Sequence, residues 1–262
     1  MITSTFNSYF SHIDEVDGWL DKTTAIISNG LMRHQSATGL TGPVCEIGVH
    51  HGKYFIALAC GLCPNEKGIA IDLFENQEEN IDHSGMGDRG MFEKNVARFL
   101  YPPSIAVISG NSTKLSADNI SRYGGVRFFS VDGGHTEAIT LNDLRLAERS
   151  IATGGIVALD DILHQGWTGV ISGYVRYRQE GGKLRAFALV PNKLLLTDEA
   201  SAASYKDFMR TEFAHFAGRQ DMEFIGDIVD LYVPPSSPPP RPGWLSRKKV
   251  RLGRKIRQWS GH

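Results

Sequence analysis

The sequence predicts an α/β protein built on an open, doubly wound and mostly parallel sheet with helices on both faces and an antiparallel C-terminal strand. Apolar runs rich in Ile, Val and Phe recur along the chain, and stretches of helical length separate several of them. These runs are apolar almost throughout, which is typical of strands that are covered on both faces. Strands that alternate with helices indicate right-handed βαβ units and a parallel sheet.

The predicted elements follow from this periodicity. Strands are predicted at 42–49, 68–74, 104–110, 126–134, 154–161, 184–190, 193–197 and 227–233. Helices are predicted at 14–34, 53–62, 113–122, 136–150, 166–180 and 203–216. The stretch 75–91 has almost no apolar content and is predicted to be a mobile loop. We therefore divide the chain into an N-terminal helical cap (1–40), the sheet domain (41–233), and a Pro-rich linker with a basic tail (234–262).

The composition is that of an ordinary globular protein. The chain has 262 residues, of which 41% are hydrophobic and 22% charged. No apolar run approaches the roughly 18 residues that would span a bilayer, and the N-terminus lacks the pattern of a secretory signal. Three cysteines cannot form a disulfide framework, which is consistent with a reducing compartment. These features predict a cytoplasmic protein.

The net charge of −1 conceals an asymmetry. Residues 236–262 contain eight Lys/Arg and no acid, so the other 235 residues hold 20 basic and 29 acidic side chains, a net charge of −9. An acidic body argues against nucleic-acid binding. In the tail, Leu245, Leu252, Ile256 and Trp259 form a basic amphipathic helix pattern, suited to an anionic membrane surface on the inner face or to an acidic partner. A disordered, solvated tail is the alternative.

Ligands of an open parallel sheet bind beyond the carboxyl ends of its strands. The first strand leads into "EIGVHHG", which places Glu46, Gly48 and Gly52 in a strand-to-helix turn. A dinucleotide site would need a glycine where His50 stands, so a cofactor without a phosphate fits this turn better. Asp72 ends the second strand and can accept hydrogen bonds from both hydroxyls of a ribose. Alternatively, the glycines form only a tight turn and Asp72 only caps a helix.

Carboxylates follow the strands predicted at 126–134 and 154–161. Asp132 follows the first of these strands, and Asp160 and Asp161 end the second. If the strands are neighbours, the three carboxylates raise one another's pKa unless a cation neutralises them, and oxygen ligands suit Mg²⁺ or another divalent ion. His135, expected in the first turn of the next helix, could act as a general base, because a helix N-terminus disfavours the imidazolium. Alternatively, His135 and the Asp pair are simple helix caps.

The glycine turn, the acidic residue after the next strand and "SGNST" after the third together resemble the S-adenosylmethionine-dependent methyltransferases of the Rossmann-like class. The resemblance implies that Glu46 and Gly48 line the methionine end of the cofactor and that Asp72 holds its ribose. It also places three residues near the adenine: Gly110, Asn111 and Ser112. Gly52 and Asp132 complete the predicted cofactor-binding residues.

The segment "VDGGHTEAITLNDLRLAERSIATGGIVALDDI" resembles the metal-dependent O-methyltransferases that act on deoxysugars of macrolide antibiotics. The resemblance implies that Asp132, Asp160 and Asp161 bind Mg²⁺, that His135 is the base, and that the protein forms a homo-oligomer. We expect His164 and Trp167 to shape the acceptor pocket.

The expected activity is Mg²⁺-dependent transfer of a methyl group from S-adenosylmethionine to a hydroxyl of a sugar, a glycan or a related small molecule. The sequence is also compatible with two alternatives: a nicotinamide-dependent oxidoreductase on the same kind of sheet, and a non-catalytic adaptor recruited by its tail.

Overall fold

The computed structural model describes residues 4–100 and 104–235, and within them nine strands form one sheet. The strands are β1 (Val44–Ile47), β2 (Lys67–Asp72), β3 (Ser104–Ser109), β4 (Val126–Val131), β5 (Ile151–Asp160), β6 (Arg185–Val190), β7 (Lys193–Thr197), β8 (Ala217–Phe224) and β9 (Asp227–Tyr232). Their spatial order is β3-β2-β1-β4-β5-β7-β6-β9-β8. The order reverses direction between β1 and β4, where such sheets bind ligands.

The predicted fold class is confirmed. Strands β1 to β5 are mutually parallel, and β7 lies antiparallel between β5 and β6. The predicted closing strand, β9, is parallel to β6, and its neighbour β8 is antiparallel to it. Strand β8 is not predicted by the sequence, because most of its residues are exposed and it lacks the apolar run of a buried strand.

Eight α-helices lie within the described residues. They are α1 (Ser4–Phe10), α2 (Lys22–Ala37), α3 (Lys53–Ala59), α4 (Arg89–Phe99), α5 (Asp118–Ser121), α6 (Glu137–Ser150), α7 (Thr168–Gln179) and α8 (Glu199–Glu212). The sequence patterns do not predict α1 or α4. The Asp88 side chain caps α4 by accepting a hydrogen bond from the backbone N–H of Met91 at 2.7 Å. The predicted loop 75–91 therefore ends at Asp88, three residues earlier than predicted.

The helices cover both faces of the sheet. Helices α1, α2, α3, α4 and α8 pack into one core, and α5, α6 and α7 pack into the other. Successive side chains of a strand point to opposite faces. In β5, Ile156 and Ala158 therefore belong to the first core, and Val157 and Leu159 to the second. The same alternation decides where the side chain of Asp160, at the end of β5, points.

The N-terminal helices pack onto the sheet domain. Phe6 and Tyr9 of α1 share the first core with α3, and the Tyr9 hydroxyl donates a hydrogen bond to the Lys53 carbonyl at 2.5 Å. No helix among the described residues is long and apolar enough to cross a membrane. The predicted basic tail, from residue 236 onward, lies outside the described residues.

A fully buried arginine connects the elements at the amino-terminal edge of the sheet. The Arg127 guanidinium donates to the carbonyls of Met32 and Gly61, both at 2.8 Å, and to Glu66 Oε2 at 2.7 Å. The Glu66 carboxylate also accepts the backbone N–H of Gly42 and of Cys63. One ion pair therefore links α2, the end of α3 and the start of β4.

We predict that Arg127→Met lowers the free energy of unfolding by about 3–5 kcal/mol, because it leaves the buried Glu66 carboxylate without its counter-ion. Urea denaturation followed by circular dichroism measures this loss. The control is Arg145→Met, which removes an exposed ion pair with Glu180 and should cost less than about 1 kcal/mol. Equal losses in the two variants would contradict the assignment of Arg127 as a stabilising link.

Candidate active site

A cavity of about 780 Å³ opens at the carboxyl ends of β1, β2, β4 and β5. It is lined by every residue that the sequence predicts for the site except Gly52. The segment 17–21 before α2 and parts of the polar loop after β2 complete its wall. The cavity thus lies at the edge where the topology predicts ligand binding.

The two glycines of the turn after β1 have different roles. Gly48 has φ +83°, and a Cβ atom there would lie 1.7 Å from the Asp132 carbonyl oxygen, so only glycine lets the end of β4 approach this closely. Gly52 also has a left-handed φ, +91°, but it packs against Phe92 and does not line the cavity. Gly52 therefore shapes the turn and does not line the cavity, and its part in cofactor binding stays a prediction.

Asp72 lies at the end of β2 and faces the cavity. Its Oδ2 accepts the backbone N–H of His50 and its Oδ1 that of Phe74, both at 2.8 Å. Burial raises its pKa despite these two hydrogen bonds. Each carboxylate oxygen can accept two hydrogen bonds, so Asp72 can hold the turn and still accept from a ligand.

The residues after β3 form a second part of the cavity wall. Gly110 has no heavy atom within 4 Å of the position of a Cβ atom, so open space adjoins it. The Asn111 side chain accepts the backbone N–H of Thr113 at 2.9 Å and donates to Glu79 at 3.0 Å. Ser112 is buried and lines the same wall. These three residues therefore lie together on the cavity wall, and their contact with the adenine stays a prediction.

Asp132, His135 and Asp161 come together on another side of the cavity. One ligand atom of each lies within 4.8 Å of the other two, and His135 Nε2 is 3.0 Å from Asp161 Oδ2. The other ring nitrogen of His135, Nδ1, is 3.1 Å from Oδ2 of Asp82, and the same oxygen accepts the backbone N–H of His135. Trp167 stacks on the ring, with centroids 4.3 Å apart. Asp82 lies in the polar loop, where no spacing signal distinguishes it from the other acidic residues.

The pKa of His135 is shifted in the direction opposite to the expectation. Burial opposes protonation of the ring, but the carboxylates of Asp161 and Asp82 outweigh burial and raise its pKa. Burial also acts against ionisation of Asp161, yet His135 and Asn192 lower its pKa. His135 precedes α6 and contacts two carboxylates, so these charges dominate over the helix N-terminus that was expected to keep the ring neutral.

Asp160 is not one of these three residues, because both of its carboxylate oxygens have partners within the protein, and its binding of a metal stays a prediction. Its Oδ1 accepts from the backbone N–H of Asp161 at 2.9 Å and from Asn192 Nδ2 at 2.7 Å, and its Oδ2 accepts from Lys193 Nζ. The reason is the alternation along β5: Asp160 points to the same face as Ile156 and Ala158. Asp161, with φ +55°, lies beyond the end of the strand and turns back towards His135.

Lys193 is a buried cation that no sequence motif indicates. Its ammonium group lies 3.8 Å from Asp132 Oδ2 and 4.4 Å from the centre of the Tyr54 ring. Burial, followed by the proximity of Asp160, raises the pKa of Asp132, and burial raises the pKa of Glu46 to about 8. The carboxylates here outnumber the two groups that can carry positive charge, Lys193 and His135. The donor atoms of Asp132 and Asp161 therefore fit a further cation.

Comparisons with known proteins bear on the domain and on the fold. The sequence model of a family described as "Methyltransferase domain" matches residues 45–162. Among curated protein sequences, none is significantly similar to the chain. An O-methyltransferase from Bacillus cereus, solved in complex with SAH, has a TM-score of 0.55 at 16% identity, covering 75% of this chain and 91% of its own.

Two further solved structures share the fold. The SAH-bound methyltransferase PaMTH1 from Podospora anserina has a TM-score of 0.55 at 9% identity, covering 76% of this chain and 89% of its own. The O-methyltransferase TomG from Streptomyces achromogenes, solved with SAM, has a TM-score of 0.54 at 15% identity, covering 75% of this chain and 90% of its own. At such identities the likeness establishes the fold.

The domain match and the fold agree with each other. Residues 45–162 match a methyltransferase domain, and the sheet around them has the Rossmann-like fold that the motifs predict. The nicotinamide-dependent oxidoreductase is therefore set aside, and so is the non-catalytic adaptor.

We predict that Asp72→Asn weakens S-adenosylmethionine binding by about 1.5–3 kcal/mol, because the amide retains the size of the side chain but loses the charge of the acceptor. Isothermal titration calorimetry measures the change. The control is Glu75→Gln, an exposed carboxylate on the same loop that does not line the cavity. An unchanged affinity in Asp72→Asn would contradict the ribose assignment.

We predict that His135 in the metal-free protein titrates above the ordinary histidine value of about 6.5, and that Asp161→Asn lowers its pKa. Because the folded-state pKa is raised, the ion pair stabilises the protein fully below the unfolded-state pKa, and this stability is lost as the pH rises through the folded-state pKa. Histidine NMR signals followed against pH measure the shift. Asp207→Asn, an exposed substitution on α8, should leave the pKa of His135 unchanged.

Proposed function

We propose that this protein is a Mg²⁺-dependent O-methyltransferase that transfers the methyl group of S-adenosylmethionine to a hydroxyl of a sugar, a glycan or a related small molecule. The observation that carries the proposal is the convergence of Asp132, His135 and Asp161 in the same cavity as the predicted cofactor turn. Two solved structures with this fold are O-methyltransferases in complex with SAH or SAM, which supports oxygen as the acceptor atom.

The oxygen atoms of Asp132 and Asp161 are the ligands we assign to the ion. A hard cation such as Mg²⁺ prefers carboxylate oxygen to imidazole nitrogen, so His135 remains available for proton transfer. Bound there, Mg²⁺ would lower the pKa of the acceptor hydroxyl and orient it.

His135 is the group we assign to remove the proton. Asp82 accepts from Nδ1, which holds the ring in place and leaves Nε2 directed at the carboxylate cluster. When a cation satisfies the charge of Asp161, Nε2 is free to accept the proton of the acceptor hydroxyl. The acceptor oxygen then forms its bond to the methyl carbon as the bond from that carbon to sulfur breaks, leaving a neutral thioether.

The cavity wall supports a sugar ring as the acceptor. Trp19 is 78% exposed beside the cavity, and Trp167 and His164 line the side next to His135. Aromatic faces suit the apolar faces of a pyranose, and the nearby carboxylates and amide groups suit its hydroxyls. This combination of apolar surface and a few convergent polar groups is typical of small-molecule sites.

We predict that methyl transfer from labelled S-adenosylmethionine to a panel of glycosides is abolished by EDTA and restored by Mg²⁺. Asp161→Asn should abolish the Mg²⁺-dependent rate, because the amide lacks the charge that holds the ion. Asp118→Asn, on helix α5, is the matched control and should retain activity. Full wild-type activity in EDTA would refute the metal assignment.

In the same assay, His135→Ala should slow turnover by about a hundredfold or more while Mg²⁺ affinity changes little. Raising the pH should partly restore the rate of this variant, because more of the acceptor hydroxyl ionises without a base. A rate that is equally low at every pH would indicate that His135 serves another role.

A further inference from the structure

A second group of side chains with metal-ligand atoms lies beside the cavity, where Asp17 and His50 line the wall and His51 does not. Asp17, His50 and His51 each offer one ligand atom, and these three atoms lie within 4.8 Å of one another. His51 Nδ1 is 3.6 Å from Asp17 Oδ2, and the two imidazole rings stack with centroids 3.9 Å apart. None of these side chains has a role in the proposed methyl transfer.

The nitrogen atoms of this group are placed for a ligand. His51 Nδ1 is buried and makes no hydrogen bond to the described residues, because the Asp17 carboxylate lies beyond hydrogen-bonding distance. A buried polar atom without a partner costs about 1–3 kcal/mol. Burial, followed by the neighbouring His51, lowers the pKa of His50, which favours the neutral ring that binds metal ions.

The backbone around the group is held by hydrogen bonds that do not use the three ligand atoms. The backbone N–H of His50 donates to Asp72, and the His51 carbonyl accepts from Asn95 Nδ2 at 2.9 Å. Lys53 Nζ donates to the Gly18 carbonyl at 3.0 Å, next to Asp17. The Trp19 ring packs against His50 at a tilt, with centroids 5.5 Å apart.

We propose that Asp17, His50 and His51 bind one divalent transition-metal ion of the Zn²⁺ type. Two imidazole nitrogens and one carboxylate form a ligand set that such ions prefer, whereas Mg²⁺ prefers oxygen alone. The ion would connect the segment 17–21 to the glycine turn and so hold one wall of the cavity against the cofactor turn. This binding is independent of the methyl-transfer reaction, and so is its test.

The test is isothermal titration calorimetry with Zn²⁺ in excess Mg²⁺. The full chain carries His135→Ala, which removes the imidazole of the other cluster. We expect one Zn²⁺ site, weakened at least tenfold by each of His50→Gln, His51→Gln and Asp17→Asn. Two matched controls should leave the site unchanged: His215→Gln, an exposed histidine, and Asp14→Asn, an exposed carboxylate that pairs with Lys22.

Thermal melting provides a second readout and shows whether each variant is folded. Zn²⁺ should raise the melting temperature of the His135→Ala protein, because an ion that binds only the folded state stabilises it. The rise should disappear in the three site variants and persist in the two controls. Absence of Zn²⁺ binding, or equal binding in the site variants and the controls, would overturn the proposal whatever the outcome of the methyl-transfer assays.

Discussion

The active-site edge of this protein depends on the buried ammonium group of Lys193. It lies at the start of β7 and pairs with Asp160 at the end of β5, so the one antiparallel strand in the middle of the sheet supplies the cation for two parallel strands. Without a cation, two buried carboxylates would repel each other and take up protons. The paired lysine therefore lets Asp132 and Asp160 lie side by side at the edge of the sheet.

This ion pair also gives Asp160 a role different from that of Asp161. Asp160 is engaged by Lys193 and Asn192 and faces the first core, whereas Asp161 leaves the strand and meets His135. Asn192 Nδ2 donates to both carboxylates, but Asp160 also pairs with Lys193 and Asp161 with His135, because the chain changes direction between them. The remaining negative charge lies on the cavity side, where we propose that a divalent ion binds.

The amino ends and the carboxyl ends of the strands have different roles. At the amino-terminal edge, Arg127 and Glu66 satisfy each other and several backbone groups, so this edge is closed and contributes stability. At the carboxyl edge, Gly48 allows close approach of two strand ends, and Asp82 of the polar loop contacts His135 from above the sheet. Polar groups there converge on open space, which is the usual arrangement of ligand sites in α/β proteins.

The sequence by itself determined the parallel sheet, its alternation with helices, and the class of cofactor-binding turn, because these are encoded in local periodicity and in short motifs. It also placed Asp132, His135 and Asp161 at one edge, since parallel strands end on the same side. Only the tertiary structure decided the roles of Asp82 and Lys193 and the separation of Asp160 from Asp161. Those outcomes depend on contacts between residues that are distant in the chain, and on the strand face to which each side chain points, which no local pattern records.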